Sequence, residues 1–444
     1  MSEKKIVVLG AGESGTGAAI LAKDKGMRVF LSDYGTVAPR YAAMLDAEGI
    51  EWEQGGHTMD RILDADEIVK SPGIADTTPV MRAVRERGIH VVSEIEFAGR
   101  YFPEGTRTVC ITGSNGKTTT TMLTHHILRH AGTDASLAGN IGRSLALQVA
   151  REPHAVYVIE LSSFQLDNMY DFRADTAVIM NITPDHLDRY DYKMERYVDA
   201  KLRIVRNMRP CDTFIHWADD PVVMARDPRA LTPAADRLFA IAAAPGLAAC
   251  FSDGSLMLDG KPLMPEADLS LPGEHNRLNS MAAALAAESM GASREAIAEA
   301  LATFAPVEHR LEPAGTVDGV RWINDSKATN VNSCYYALGA MTTPTVLILG
   351  GKDKGNDYSE ILPLVREKVK AIVAMGLHNE KIVDFFSPYV PVVSTASLAD
   401  AVAACRSLAA AGDTVLLSPC CASFDLFTSY EDRGRRFKDA VKNL

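Results

Sequence analysis

The chain has 444 residues, 47% hydrophobic and 23% charged, with a formal net charge of −11. That length allows roughly two to four domains, and the acidic balance excludes a global field for nucleic acid or an anionic membrane, so any phosphate site must be local. No apolar run is long enough to span a bilayer, the start MSEKKIVVLGAG predicts a strand rather than a secretory leader, and seven cysteines without metal-type spacing fit a reducing cytoplasm.

Residues 6–9 read as a buried strand. Gly10-Ala11-Gly12-Glu13-Ser14-Gly15 follows, then a helical stretch to residue 25 and a strand over 28–32 that ends at Asp33. This is a dinucleotide-type βαβ unit with an acid about 20 residues past the glycines. Alone it points to NAD with Asp33 on a ribose, although it reports a diphosphate on a helix N-terminus better than it reports which nucleotide. Glu13 puts a like charge beside such a diphosphate unless its side chain turns away. A strand over 67–70 ends in Ser71-Pro72-Gly73-Ile74, by itself a plain turn. The segment closes near Glu94-Ile95-Glu96, and 101–105 reads as a linker.

The middle segment opens with VCITGSNGKTTT, residues 109–120. An apolar strand runs into Gly113-Ser114-Asn115-Gly116, then Lys117-Thr118-Thr119 and a helix over 118–131. Such a loop presents backbone N–H groups to phosphate, with Lys117 for the terminal phosphates and the Thr118 hydroxyl for Mg²⁺. The strict phosphate-loop pattern wants Gly at 111, where this chain has Ile111. Asn140 lies in a Gly-Asn-Ile-Gly turn that can place its amide near a ligand. Strands over 156–159 and 177–180 end in Glu160 and in the stretch carrying His186. Ligands of open α/β sheets sit beyond the C-terminal ends of strands, so Lys117, Glu160 and His186 share one side. Singly, Glu160 reads equally as a helix cap and His186 as a loop histidine; together they suit Mg²⁺ in a nucleotide site. Lys201 alone is a solvated helix lysine. Residues 231–271 carry short-strand and turn signals. Asn276 and Asn279 stand where an Ala-rich helix begins, as caps or as amides for a purine.

Phe304-Ala305-Pro306-Val307 marks a second junction. Beyond it, apolar strands over 345–349, 371–375, 390–393 and 414–417 alternate with helical stretches, predicting another doubly wound sheet. Gly350-Gly351-Lys352-Asp353-Lys354-Gly355 and Ser418-Pro419-Cys420-Cys421-Ala422-Ser423 each follow a strand end. The fold class is therefore α/β in three tandem domains: Rossmann-like 1–96, a central P-loop mononucleotide-binding domain 97–305, and Rossmann-like 306–444. A triphosphate in the middle and a small anion on a flank fit carboxylate activation followed by amine attack.

Taken together, TGSNGKTTT, GNIG, ELSSFQL, NITPDHLDRY, AKLR, HNRLN, the His309-Arg310 pair, NDSKATN and LGGKDKG resemble the Mur ligase family over the full chain. The resemblance implies a cytoplasmic, monomeric enzyme with ATP and Mg²⁺ that adds D-glutamate to UDP-N-acetylmuramoyl-L-alanine through an acyl phosphate, with no nucleic-acid or membrane partner. It implies that Gly113, Ser114, Asn115, Gly116, Lys117, Thr118, Thr119, Asn276, Arg310 and Asp325 bind ATP. Thr118, Glu160, His186 and a carbamylated Lys201 would hold metal, with Lys117, Glu160, His186 and Lys201 catalytic. Ser14, Asp33, Gly73 and Asn140 would take the UDP-linked acceptor, in place of NAD. Lys354, Thr329, Ser423 and Tyr430 would take D-glutamate; the family often has Phe where Tyr430 stands.

Overall fold

Runs of β-branched and aliphatic residues form the central strands of three sheets in the computed structural model, which describes residues 4–305, 308–353 and 355–444. The first sheet holds β1 (Lys5–Leu9), β2 (Arg28–Asp33), β3 (Glu51–Gln54), β4 (Glu67–Lys70) and β5 (His90–Ser93). All are parallel, in the order β3-β2-β1-β4-β5. Sequence pattern predicts β1, β2 and β4 but not β3: EWEQ is an edge strand with no fully buried residue, so it carries no apolar run.

The second sheet holds β6 (Arg107–Thr112), β7 (Ala135–Gly139), β8 (Val156–Glu160), β9 (Thr176–Ile179), β10 (Thr213–Trp217), β11 (Ala235–Ala242), β12 (Ala249–Ser252), β13 (Ser255–Leu258) and β14 (Lys261–Pro265). Their order is β14-β13-β12-β11-β10-β9-β6-β8-β7. The short strands expected over 231–271 form, and they extend this sheet through an antiparallel edge, β12-β13-β14. The strands from β7 to β12 are parallel, so the loops after β6, β8 and β9 emerge on one edge.

The chain divides after Phe304 into two compact units. Within the first, one apolar core runs from Ile6 and Val8 of β1 through Leu145 and Tyr157 to Phe214, so the first two sheets share an interior. Helix Glu13–Asp24 packs along helix Leu145–Arg151. Helix Glu94–Gly99 spans the expected 96/97 boundary. Its Glu96, buried, accepts backbone N–H groups of Tyr170 (3.0 Å), Asp171 (3.2 Å) and Phe172 (2.9 Å) from the second sheet's connections.

The second unit contains β15 (Glu312–Val317), β16 (Val320–Asn324), β17 (Thr345–Gly350), β18 (Val369–Met375), β19 (Val392–Thr395) and β20 (Thr414–Cys420), ordered β15-β16-β20-β17-β18-β19. Only the β15–β16 pair is antiparallel. Among the described residues no helix is long and apolar enough to cross a membrane, and all seven cysteines are free.

Glu96→Ala would leave three backbone donors without their acceptor between the first two sheets. It should destabilise the first unit by roughly 2–4 kcal/mol, read by urea denaturation, without altering the second unit's unfolding.

Candidate active site

The phosphate loop is held by the segment that follows the neighbouring strand β9. Ser114 N–H donates to Asn181 O (2.8 Å) and Asn115 N–H to Asn181 Oδ1 (2.9 Å). The Ser114 hydroxyl donates to Thr183 O (2.7 Å) and accepts from Thr183 N–H (2.9 Å). Gly116 caps the helix Lys117–His130 at φ 81, and a Cβ there would meet Asn279 Oδ1 at 2.5 Å, so the turn takes only glycine. Ile111, at the place where the strict pattern has glycine, lies inside β6 and is fully buried. Thr118 and Thr119 are buried at the helix start, and the Thr119 hydroxyl has no hydrogen-bond partner among the described residues.

Asn276 and Asn279 do not cap their helix, whose N-cap is Gly273. Asn276 Nδ2 donates to Pro272 O (2.8 Å), and Asn279 Nδ2 donates to Asn276 Oδ1 (3.1 Å). Asn279 Oδ1 accepts from the Thr120 hydroxyl (3.2 Å), which ties that helix to the phosphate-loop helix.

Lys201 departs from its reading as a solvated lysine: it is 1% exposed. Its Nζ donates to Gly113 O at 2.7 Å, and Lys117 Nζ donates to the same oxygen at 2.8 Å and to Ser114 O at 2.9 Å. Burial, and then the Lys117 charge, push the Lys201 amine well below the usual lysine range, against the pull of Asp185, Glu160 and Asp167. Two ammonium groups on one carbonyl repel, which adds to burial in favouring the uncharged form of the Lys201 amine.

Glu160 ends β8 directly beside Ile111 of β6. It is 1% exposed, and Oε1 accepts from Asn140 Nδ2 (2.8 Å). Oε2 is buried without a hydrogen-bond partner among the described residues. An orphaned carboxylate oxygen in a buried site fits a cation better than it fits a helix cap, which it does not form. His186 sits in a left-handed turn (φ 53) with its ring edge-on to Phe164 (5.1 Å) and Nε2 3.6 Å from Asp185 Oδ2.

In the first sheet, Asp33 Oδ2 accepts from Ala11 N–H (2.6 Å) and Oδ1 from Gly35 N–H (2.7 Å), so this acid braces the glycine loop. Ser14 lies in the first turn of the following helix, and Gly73 in the turn after β4.

In the second unit, Asp325 is 2% exposed and accepts from Leu311 N–H (3.2 Å) and the Ser418 hydroxyl (2.9 Å). Burial pushes its carboxyl up to about 6, with Arg310 opposing. Arg310 Nε is buried without a hydrogen-bond partner among the described residues, a donor suited to an anion. Lys352 and Ala422 bond reciprocally through their backbones (2.8 and 3.2 Å), which sets the loop after β17 beside the loop carrying buried Ser423. Thr329 follows β16, the neighbour of β20. The Tyr430 hydroxyl accepts from Lys327 Nζ (3.3 Å). Lys354 lies outside the described residues.

Arg433, which sequence reasoning did not single out, is fully buried; its guanidinium donates to the Ser326 hydroxyl (2.9 Å), Ser326 O (2.8 Å) and Cys421 O (3.2 Å). It clasps the loops after β16 and β20. The run Glu431-Asp432-Arg433-Gly434-Arg435-Arg436 reads as a solvated helix face, so nothing local marks it.

Family models match along the chain: "Mur ligase MurD-like, N-terminal domain" over 4–93, "Mur ligase middle domain" over 111–287, and "Mur ligase, glutamate ligase domain" over 309–421. A protein of Bacteroides fragilis named UDP-N-acetylmuramoylalanine–D-glutamate ligase is 55% identical over 99% of this chain and 100% of its own. A protein of the same name from Porphyromonas gingivalis is 54% identical over 99% of this chain and 98% of its own. Among solved structures, UDP-N-acetylmuramate-alanine ligase MurC from Thermotoga maritima superposes with TM-score 0.64 at 21% identity, covering 99% of each chain, a likeness of fold.

The Asp325 carboxyl, at about 6 in the fold against 3.8 ordinarily, binds its proton more tightly folded than unfolded. Its contribution is full below pH ~4 and is lost as pH rises through ~6. Asp325→Asn should therefore gain stability relative to the parent between pH 4.5 and 7.5, by up to about 3 kcal/mol, measured by chemical denaturation of the second unit.

Proposed function

This chain belongs to the Mur ligase family, and we propose that it joins D-glutamate to UDP-N-acetylmuramoyl-L-alanine, cleaving ATP to ADP and phosphate, in the cytoplasmic synthesis of peptidoglycan precursors. The observation that carries this reading is 55% identity to the Bacteroides fragilis ligase over 99% of the chain. Residues 1–96 take the acceptor, 97–305 the ATP and 306–444 the D-glutamate.

Residues 113–119 surround the phosphates, with the backbone N–H groups at the helix start facing them while those of Ser114 and Asn115 are held by Asn181, and Lys117 supplies the cation that compensates the terminal ones. Asn276, Arg310 and Asp325 are further nucleotide ligands. Thr118 and the free oxygen of Glu160 fit one Mg²⁺, and His186 with Lys201 a second; when bound, these ions neutralise charge on the phosphoryl oxygens. Lys201, whose buried amine is pushed toward its uncharged form, adds to CO₂ in that form: an N–C bond forms, one proton leaves the nitrogen, and the neutral amine becomes a carbamate anion. Ser14, Asp33, Gly73, Asn140 and His186 orient the acceptor. Thr329, Lys354, Ser423 and Tyr430 bind D-glutamate, where hydroxyls and a cation suit a dicarboxylate.

The L-alanyl carboxylate oxygen attacks the γ-phosphorus and the bond to ADP breaks. The D-glutamate nitrogen then attacks the acyl carbon, phosphate departs, and the nitrogen sheds its proton.

ADP release should require both acceptor and D-glutamate, and L-lysine in its place should give none; amine preference for L-lysine would remove the D-glutamate assignment. Lys117→Ala should lower turnover by roughly 100-fold or more. ¹³C-bicarbonate should give a carbamate carbon resonance in the parent that Lys201→Arg lacks; an identical resonance in that variant would remove Lys201 as the modified residue.

A further inference from the structure

Two carboxylates outside this mechanism, Glu13 and Glu94, grip the same residue. Ser144 N–H donates to Glu13 Oε1 (3.3 Å), and the Ser144 hydroxyl donates to Glu94 Oε1 (2.7 Å). Ala146 N–H donates to that same Glu94 oxygen at 2.7 Å. The other oxygen of Glu13 accepts from the Tyr41 hydroxyl (2.9 Å). Both Glu13 oxygens are therefore occupied by protein donors, which answers the charge conflict raised by its place in the glycine loop.

Glu94 is 4% exposed and its Oε2 has no hydrogen-bond partner among the described residues. Burial pushes its carboxyl up to about 7, against the bonds from Ala146 and Ser144 and with the Glu13 charge adding. A half-satisfied carboxylate in the interior disfavours folding, which points to a positional use for its contacts.

The residue they hold lies at the end of the loop that carries Asn140. Asn140 N–H donates to Glu160 O (2.9 Å) and Nδ2 to Glu160 Oε1 (2.8 Å), so Asn140 fixes which carboxylate oxygen is left free. Gln148 Nε2 donates to Leu137 O (2.9 Å) and Arg143 O (3.1 Å), clipping the two ends of the loop together. A Cβ at Gly17 would come within 2.0 Å of Ser144 Oγ, so the helix behind the glycine loop already sits at closest approach.

We propose that Glu13 and Glu94 are positioning residues: they anchor the loop 140–144 to the first sheet, so that Asn140 holds Glu160 with its free oxygen turned toward the cation. The inference rests on the reading of Glu160 as a metal ligand. The glycine loop of the acceptor-binding sheet and the metal carboxylate are then linked through Glu13, Ser144 and Asn140.

The test uses full-length protein, Mn²⁺ with a non-hydrolysable ATP analogue, and neither acceptor nor amino acid, so no turnover enters. Asn140→Ala and Glu13→Ala should each weaken Mn²⁺ binding about 10-fold by titration calorimetry. Glu13→Ala made on Asn140→Ala should add nothing further. Glu94→Ala and Glu13→Ala should both speed hydrogen exchange at the Asn140 and Ser144 amides, and Glu13→Gln, which keeps an acceptor oxygen, should restore parental binding. Parental Mn²⁺ affinity in Glu13→Ala beside a loss in Asn140→Ala would overturn the proposal, as would additive losses in the double variant. Unchanged Mn²⁺ binding in Glu160→Gln would instead remove the metal reading beneath it.

Discussion

The Gly113 carbonyl oxygen, approached by Lys117 and Lys201 together, is the contact on which the rest of the site depends. One of these amines comes from the phosphate loop and the other from the helix Met194–Leu202. The burial of Lys201 and the neighbouring Lys117 charge both push the Lys201 amine below the usual lysine range. Lys117 stays on the loop, placed for an anion. An amine lowered in this way is the kind that takes up CO₂, the role proposed for Lys201. A loop that changed its path by a single peptide would lose that carbonyl, and with it the difference between the two lysines.

Around this contact the second sheet works as a jig. Asn181 and Thr183 hold the phosphate loop from the segment that follows β9, Asn279 reaches the loop's helix from the Ala-rich helix, and Glu160 stands at the end of β8. Each support comes from a different crossover, so the loop's shape is set by the sheet order rather than by its own residues. Arg433 acts in a comparable way in the second unit, where a fully buried cation joins the loops after β16 and β20 through carbonyl and hydroxyl oxygens.

The parts of this arrangement legible in the sequence were those that follow an apolar strand. Lys117, Glu160 and the stretch with His186 each come at the end of such a run, and parallel sheets put those ends on one edge. The three-sheet α/β organisation was legible for the same reason. Lys201 was not, because whether a helical lysine is solvated or buried depends on what covers it, and the phosphate loop is more than eighty residues away in sequence. Only the family resemblance marked it. The paired amides of Asn276 and Asn279 read equally as caps or as amides for a purine because both stand at a helix start; the glycine ahead of them takes the cap position. The edge strand Glu51–Gln54 lacked an apolar run for want of a second covering layer, and Arg433 hid among solvated charges.

The shared interior of the first two sheets bears on how such enzymes diversify. A domain joined by a bare linker can be exchanged for another that recognises a different molecule, with the remainder left untouched. Here the first module is soldered to its neighbour by aliphatic side chains from β1 to Phe214 and by the interior carboxylates of Glu94 and Glu96. A foreign module grafted at residue 96 would bring neither the matching apolar face nor the acceptors that several backbone donors need. A new specificity in this module should therefore arise by loop replacement within it, with its seam inherited intact.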